Sequence, residues 1–248
     1  MSRGAPIGFS QPIKQVWLDF TVQRKLEGQS PTEIRAALND FLSDQVSVGN
    51  TSRNSNRQKV ISILSKIWVN VPQPIKSFRD EGLALFKRMP ESTHVAVHWG
   101  MVMAVYPFFA TAAENVGRLL RLQQYVSTAQ LQKRLREKMG ERETVSVAAR
   151  KLLRCWVQWE VLKDTGKRGI YAEMGTHTIS DAQLTTWLLE SALIASAGQS
   201  AVLHSLVNYT PMLFPFNLSS SYFMPNERLE TFSQGVNEVS VTFSHYGI

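Results

Sequence analysis

A chain of 248 residues is long enough to bury a substantial core, and its 44% hydrophobic and 19% charged residues exclude a disordered tail or a fibrous repeat. Its one cysteine, Cys155, excludes an internal disulfide framework. The net charge of +7 is uneven. Residues 118–171 hold 13 Lys and Arg against 5 Asp and Glu, a net +8, whereas 172–248 hold 1 against 6, a net −5. A basic segment of that kind points to a polyanionic partner such as nucleic acid.

In chain order, residues 1–10 read as a flexible leader. Ile13, Val16, Trp17, Phe20 and Leu26 predict a helix closed by Gly28. Ser30-Pro31-Thr32-Glu33 restarts one as a capping box, with Ile34, Ala37, Leu38, Phe41 and Leu42 on its apolar face. After a polar loop through Val48–Asn50, Val60, Ile63, Leu64, Ile67 and Trp68 predict a third helix with a basic first turn. A further helix carries Ile75, Phe78, Leu83, Leu85 and Phe86. Ser92 is placed as the cap of an apolar helix that ends at the Tyr106-Pro107 step, because proline disfavours helical backbone in the residue before it. The apolar run from His94 to Ala113 contains two histidines, a glycine and a proline, which suits a buried, broken helix better than a membrane span. No signal-peptide pattern opens the chain, so the expected location is the cytoplasm.

Residues 108–174 are expected to form a winged helix-turn-helix. A first helix covers 108–124, a break falls at Tyr125, Val126 and Ser127, and a second helix carries Leu131, Leu135 and Met139 up to Gly140. The third repeats Val145, Ala149, Leu152, Trp156 and Trp159 at three-and-four spacing, which defines one buried face. Lys163–Tyr171 then reads as a hairpin with a basic, glycine-marked tip. Ser146, Arg150 and Arg154 are the candidates for major-groove contact. Lys133, Arg134, Lys163, Lys167 and Arg168 are the candidates for phosphates, with Arg142, Lys151 and Gln158 on the same surface.

Beyond the hairpin, Ser180 or Asp181 caps a helix through Leu184, Trp187, Leu188, Ala192 and Ala195 to Gly198. A short helix is expected over 201–208, an apolar plug over 211–216, and a hairpin from 228–232 and 238–243 around Gln234-Gly235. The expected organisation is mainly α, with an N-terminal helical domain over 11–107, the winged unit over 108–174 and a C-terminal helical lobe with a β-hairpin over 175–248.

Signatures of catalysis are sparse. His94 and His98 share a helical face, but a structural pair is the better reading, and no third metal ligand is evident. Cys155 lies inside the third helix of the winged unit, where a buried thiol is the default. Neither a phosphate-cradling glycine loop nor a nucleophile elbow appears. The expectation is a protein without enzymatic activity, metal or cofactor.

Residues 15–88 carry LEGQSPTEI, a polar loop, SRNSNRQKVISIL and a further helix. This pattern resembles the small BrxA component of BREX phage-defence systems. The resemblance covers the first third of the chain and implies a mainly helical protein, linked with DNA binding, working beside other defence-system subunits. A transcriptional regulator, a structural adaptor and a helical RNA-binding module are the competing readings.

Overall fold

The computed structural model describes residues 7–46, 55–234 and 238–244. Side-chain caps set several of the helix starts. In α1 (Gln15–Leu26) the chain turns at Glu27, ahead of Gly28 at φ +79°. α2 (Pro31–Phe41) opens on the expected capping box. The Glu33 amide donates to the Ser30 hydroxyl, while the Ser30 amide donates to the Glu33 carboxylate. Ser55 caps α3 (Asn56–Trp68), and α4 (Lys76–Arg88) follows a proline-rich break. Ser92 does not cap α5 (His94–Val105). A short 3-10 turn over Glu91–Thr93 leads in instead, and Thr93 makes no side-chain cap. α5 ends at Tyr106, and α6 (Pro107–Gln123) departs at 118° to it.

The chain continues through β1 (Tyr125–Ser127), α7 (Thr128–Met139), α8 (Glu143–Gln158), β2 (Leu162–Asp164), β3 (Ile170–Glu173) and β4 (His177–Thr178). Next come α9 (Ala182–Ser196), capped by Asp181, β5 (Ser200–Val202) and α10 (Leu203–Tyr209). The last strands are β6 (Phe216–Asn217), β7 (Leu229–Gln234) and β8 (Glu238–Phe243). The architecture is mainly helical with three small sheets, ordered β1-β3-β2, β4-β6 and β5-β8-β7. Two segments not expected as strands prove to be so. The break at 125–127 pairs with β3, and Ala201 and Val202, expected to open a short helix, lie in β5 and pair with β8. In both cases a partner distant in sequence overrides local preference. The loop at 48–50 and the hairpin tip at 235 lie outside the described residues.

α5 is the central element, buried without interruption from Val95 to Met103, and it packs against α9. Glycine permits that approach. A Cβ at Gly100 would collide with the Trp187 ring, and one at Gly82 would lie 2.8 Å from it. Trp187 occupies the slot, stacked on Phe78 at 4.4 Å with its indole N–H donating to the Phe78 carbonyl at 2.9 Å. A second aromatic group joins distant parts of the chain. Trp99 packs on Phe109, Trp156, Phe214 and Phe216, and its indole donates to the Met212 carbonyl. The plug at 211–216 is thus part of the core. So is the end of the expected loose leader, because Phe9 is fully buried edge-on to Tyr106. Among the described residues no single helix is long and apolar enough to cross a membrane.

Candidate nucleic-acid interface

From α6 to β3 the chain runs helix, strand, helix, helix, strand, strand. Ser127 and Gln130 form a capping box that fixes the start of α7. Thr128, the next residue, donates from both its amide (2.8 Å) and its hydroxyl (3.2 Å) to the Gly169 carbonyl. α7 is therefore tied to the hairpin. Gly140, at φ +95°, ends α7, and the Arg142 guanidinium bonds the Met139 carbonyl across the turn to α8. Leu131 and Leu135 are fully buried where α7 packs on α8, as are Val145, Ala149, Leu152 and Trp156 on α8 itself. The hairpin register pairs Lys163 with Ala172 and Asp164 with Tyr171. At its tip the Asp164 carboxylate accepts the Gly166 amide, and both Gly166 and Gly169 adopt the left-handed backbone that glycine tolerates.

This construction brings three arginines to one place. Arg150 and Arg154, one turn apart on the outer face of α8, face Arg168 from the hairpin across a cleft of about 590 Å³. Ser127, Thr128 and Gln132 form its other wall, and among the described residues no carboxylate lines it. The amino end of α7 adds the positive end of a helix dipole. Arg150 makes one long ion pair, 3.6 Å to Glu143, with both side chains more than half exposed, so little holds it back. Among the described residues no carboxylate lies within 4 Å of Lys133, Arg134, Arg154, Lys163, Lys167 or Arg168. Elsewhere in the segment some cations are matched, while Arg121 and Lys151 donate to the Asn208 and Ser10 carbonyls. Arg118 and Lys138 share Glu114, and Arg136 pairs with Glu141. Much of the uncompensated charge therefore lies around the cleft, the hairpin and the outer face of α7.

The remaining expected site residues separate. Lys133, Lys163 and Lys167 are exposed, Lys133 on α7 and the other two on the hairpin, while Arg134 is half-buried. Ser146 is only 5% exposed, and its carbonyl accepts from Gln132 of α7, so it is packed between helices and cannot meet a base edge. Gln158 lies at the far end of α8 in a different cleft beside Asp19, Glu91, Glu160 and Lys14, a setting with more acids than bases and unsuited to phosphate. Lys151 turns away from the arginines, and its ammonium donates to the Ser10 carbonyl. Ser127, Thr128 and Gln132 were missed by reading charge alone. The serine-to-glutamine capping spacing was the available signal for the first.

The other reactive side chains are engaged. Cys155 is fully buried, its sulfur accepts the Ile13 amide at 3.1 Å, and burial pushes the thiol up to about 12. His94 and His98 share a face, and α1 brings Asp19 to them, with one carboxylate oxygen 2.9 Å from His98 Nε2 and 3.4 Å from His94 Nδ1. Burial raises the Asp19 carboxyl, but the two imidazoles outweigh it and hold the group down to about 2. Burial dominates at His98, which is pushed down. At His94 the pull of Asp19 and two carbonyls exceeds the effect of burial, and the ring is raised. Among the described residues no three His, Cys, Asp or Glu side chains are arranged to hold a metal ion. Comparison with known proteins finds no matching family, no matching curated relative and no matching solved structure.

Proposed function

We propose that residues 108–174 act as a winged helix-turn-helix that binds double-stranded DNA, and that the protein has no catalytic role of its own. One observation carries the reading: Arg150, Arg154 and Arg168 converge on a cleft free of carboxylates, between α8 and the hairpin. Guanidinium groups bind phosphate oxygens bidentately and release condensed counterions from a duplex. α8 supplies the surface that enters or abuts the major groove, the hairpin lies along the backbone, and Lys133, Lys163 and Lys167 extend the phosphate contacts. With Ser146 buried and Gln158 elsewhere, affinity rests on phosphates and sequence preference rests on Arg150 and Arg154. The resemblance of residues 15–88 to BrxA extends this reading to an accessory DNA-binding subunit of a phage-defence assembly.

The test is fluorescence anisotropy of a labelled duplex and a matched RNA across a salt series, with Arg150→Ala/Arg154→Ala/Arg168→Ala beside the parent. Duplex binding should weaken with salt at a slope of about 0.9 per phosphate contacted. The variant should bind at least about tenfold more weakly, equivalent to ~1.4 kcal/mol. A parent protein that ignores duplex DNA at low salt refutes the reading, and preference for RNA replaces it with an RNA-binding one.

A further inference from the structure

The basic surface continues past α8. On α3, Lys59, Ser62 and Lys66 share an exposed face, and the seven-residue step between the lysines spaces them about 10 Å along the helix axis. Arg35 of α2 joins them, held by a 2.6 Å hydrogen bond from its guanidinium to the Gln58 side-chain oxygen. These residues line a second depression of about 310 Å³, with Ser10 and Tyr106 on its other side. The Lys66 ammonium stands 4.6 Å from the centre of the Tyr106 ring. Among the described residues no carboxylate lies within 4 Å of Arg35, Lys59 or Lys66. The segments 1–6, 47–54, 235–237 and 245–248 contain no Asp or Glu.

Lys151 links the two depressions. It follows Arg150 on α8, and its ammonium reaches Ser10, which lines the second depression. Burial, and then the charges of Lys59 and Arg150, pull that ammonium below its usual value. Cations from two helices are thus held within range of one another, and among the described residues neither Lys59 nor Lys151 has a carboxylate within 4 Å. Such self-repulsion costs stability, and an external polyanion offsets it.

We propose that the depression between α2 and α3 is a second phosphate-contacting patch, so that a duplex seated at the arginine cleft passes Lys151 and is held further along its backbone by Arg35, Lys59 and Lys66. This rests on duplex binding at the cleft. Flexible lysines on phosphates carry no base information, so the patch lengthens the footprint and adds affinity without adding sequence preference.

Arg35→Ala/Lys59→Ala/Lys66→Ala is compared with the parent and with the cleft variant on duplexes of about one and about two and a half helical turns. Circular dichroism and the urea midpoint establish that each variant is folded, and Gln replaces Ala if one is not. The expected result is unchanged binding of the short duplex. For the long duplex, binding should be weaker by about tenfold or more, with a salt slope shallower by roughly 2 to 3. If the α3 variant matches the parent on both lengths while the cleft variant loses binding, the patch is refuted and the cleft stands. Equal losses on both lengths also overturn the extended path. A parent protein that binds neither duplex removes the cleft reading and the patch with it.

Discussion

Charge is handled in opposite ways around Arg228 and around α8. Arg228 is nearly buried, and its partners are supplied from within. Its Nε donates to Glu190 at 2.6 Å, and one Nη donates to the other Glu190 oxygen at 2.8 Å and to Glu81. Glu190 is 1% exposed, and burial keeps its carboxyl above the usual range in spite of the arginine. Arg154 and Arg168, by contrast, stand in solvent, with no carboxylate in reach among the described residues. A buried charge must be neutralised inside the fold because desolvation costs several kcal/mol. A hydrated cation carries no such demand. Unmatched charge therefore accumulates only on the surface, where an outside partner can use it.

The largest expected effect tests the buried side of this contrast. Glu190→Ala strips Arg228 of its bidentate partner and should cost about 3–5 kcal/mol in urea unfolding. Adding Arg228→Met should recover a large part of that loss, because the penalty is that of an unpaired charge. If Glu190→Ala proves as harmless as the cleft substitutions, the contrast fails. Gly100→Ala controls for the apolar core around the same helices. Its methyl meets the Trp187 ring, pinned by Phe78, and the expected loss is about 3 kcal/mol from overpacking.

Asp19→Asn comes next. The carboxyl held at about 2 against an ordinary 3.8 contributes on the order of 2 kcal/mol. Since its folded value is depressed, that stability is fully present above about pH 4 and is lost as pH falls toward 2. His98, also depressed, adds a loss that begins as pH falls below its ordinary value, whereas the raised His94 works the other way. The variant should flatten the parent's acid limb in a series of urea midpoints against pH. A limb unchanged by the substitution would remove Asp19 as its source. The smallest expected effect on stability is at the cleft. Arg150→Ala/Arg154→Ala/Arg168→Ala should leave the urea midpoint in place, or raise it slightly at low salt by relieving repulsion. A marked fall would mean that these arginines serve the fold.

Much of the local structure was legible in the sequence because its causes lie within a few residues. The Ser30–Glu33 box, the stop at Gly140, the break at Pro107 and the buried stripe of α8 are such features. The clustering of Arg150, Arg154 and Arg168 was partly legible, since residues four apart share a helix face and glycines mark a hairpin. What tertiary structure alone decided were meetings across long separations. The Trp187 slot needs Gly82 and Gly100, Asp19 reaches His98 from 79 residues away, and Val126 pairs across to Tyr171. The fate of Ser146 and Gln158 was decided the same way. Helical periodicity places a side chain on a face, but only the packed neighbours determine whether that face meets α7, an acidic cleft or solvent. Lys59 and Lys151 repel for the same reason: they are far apart in sequence, and only the packing of the core brings their charges within range.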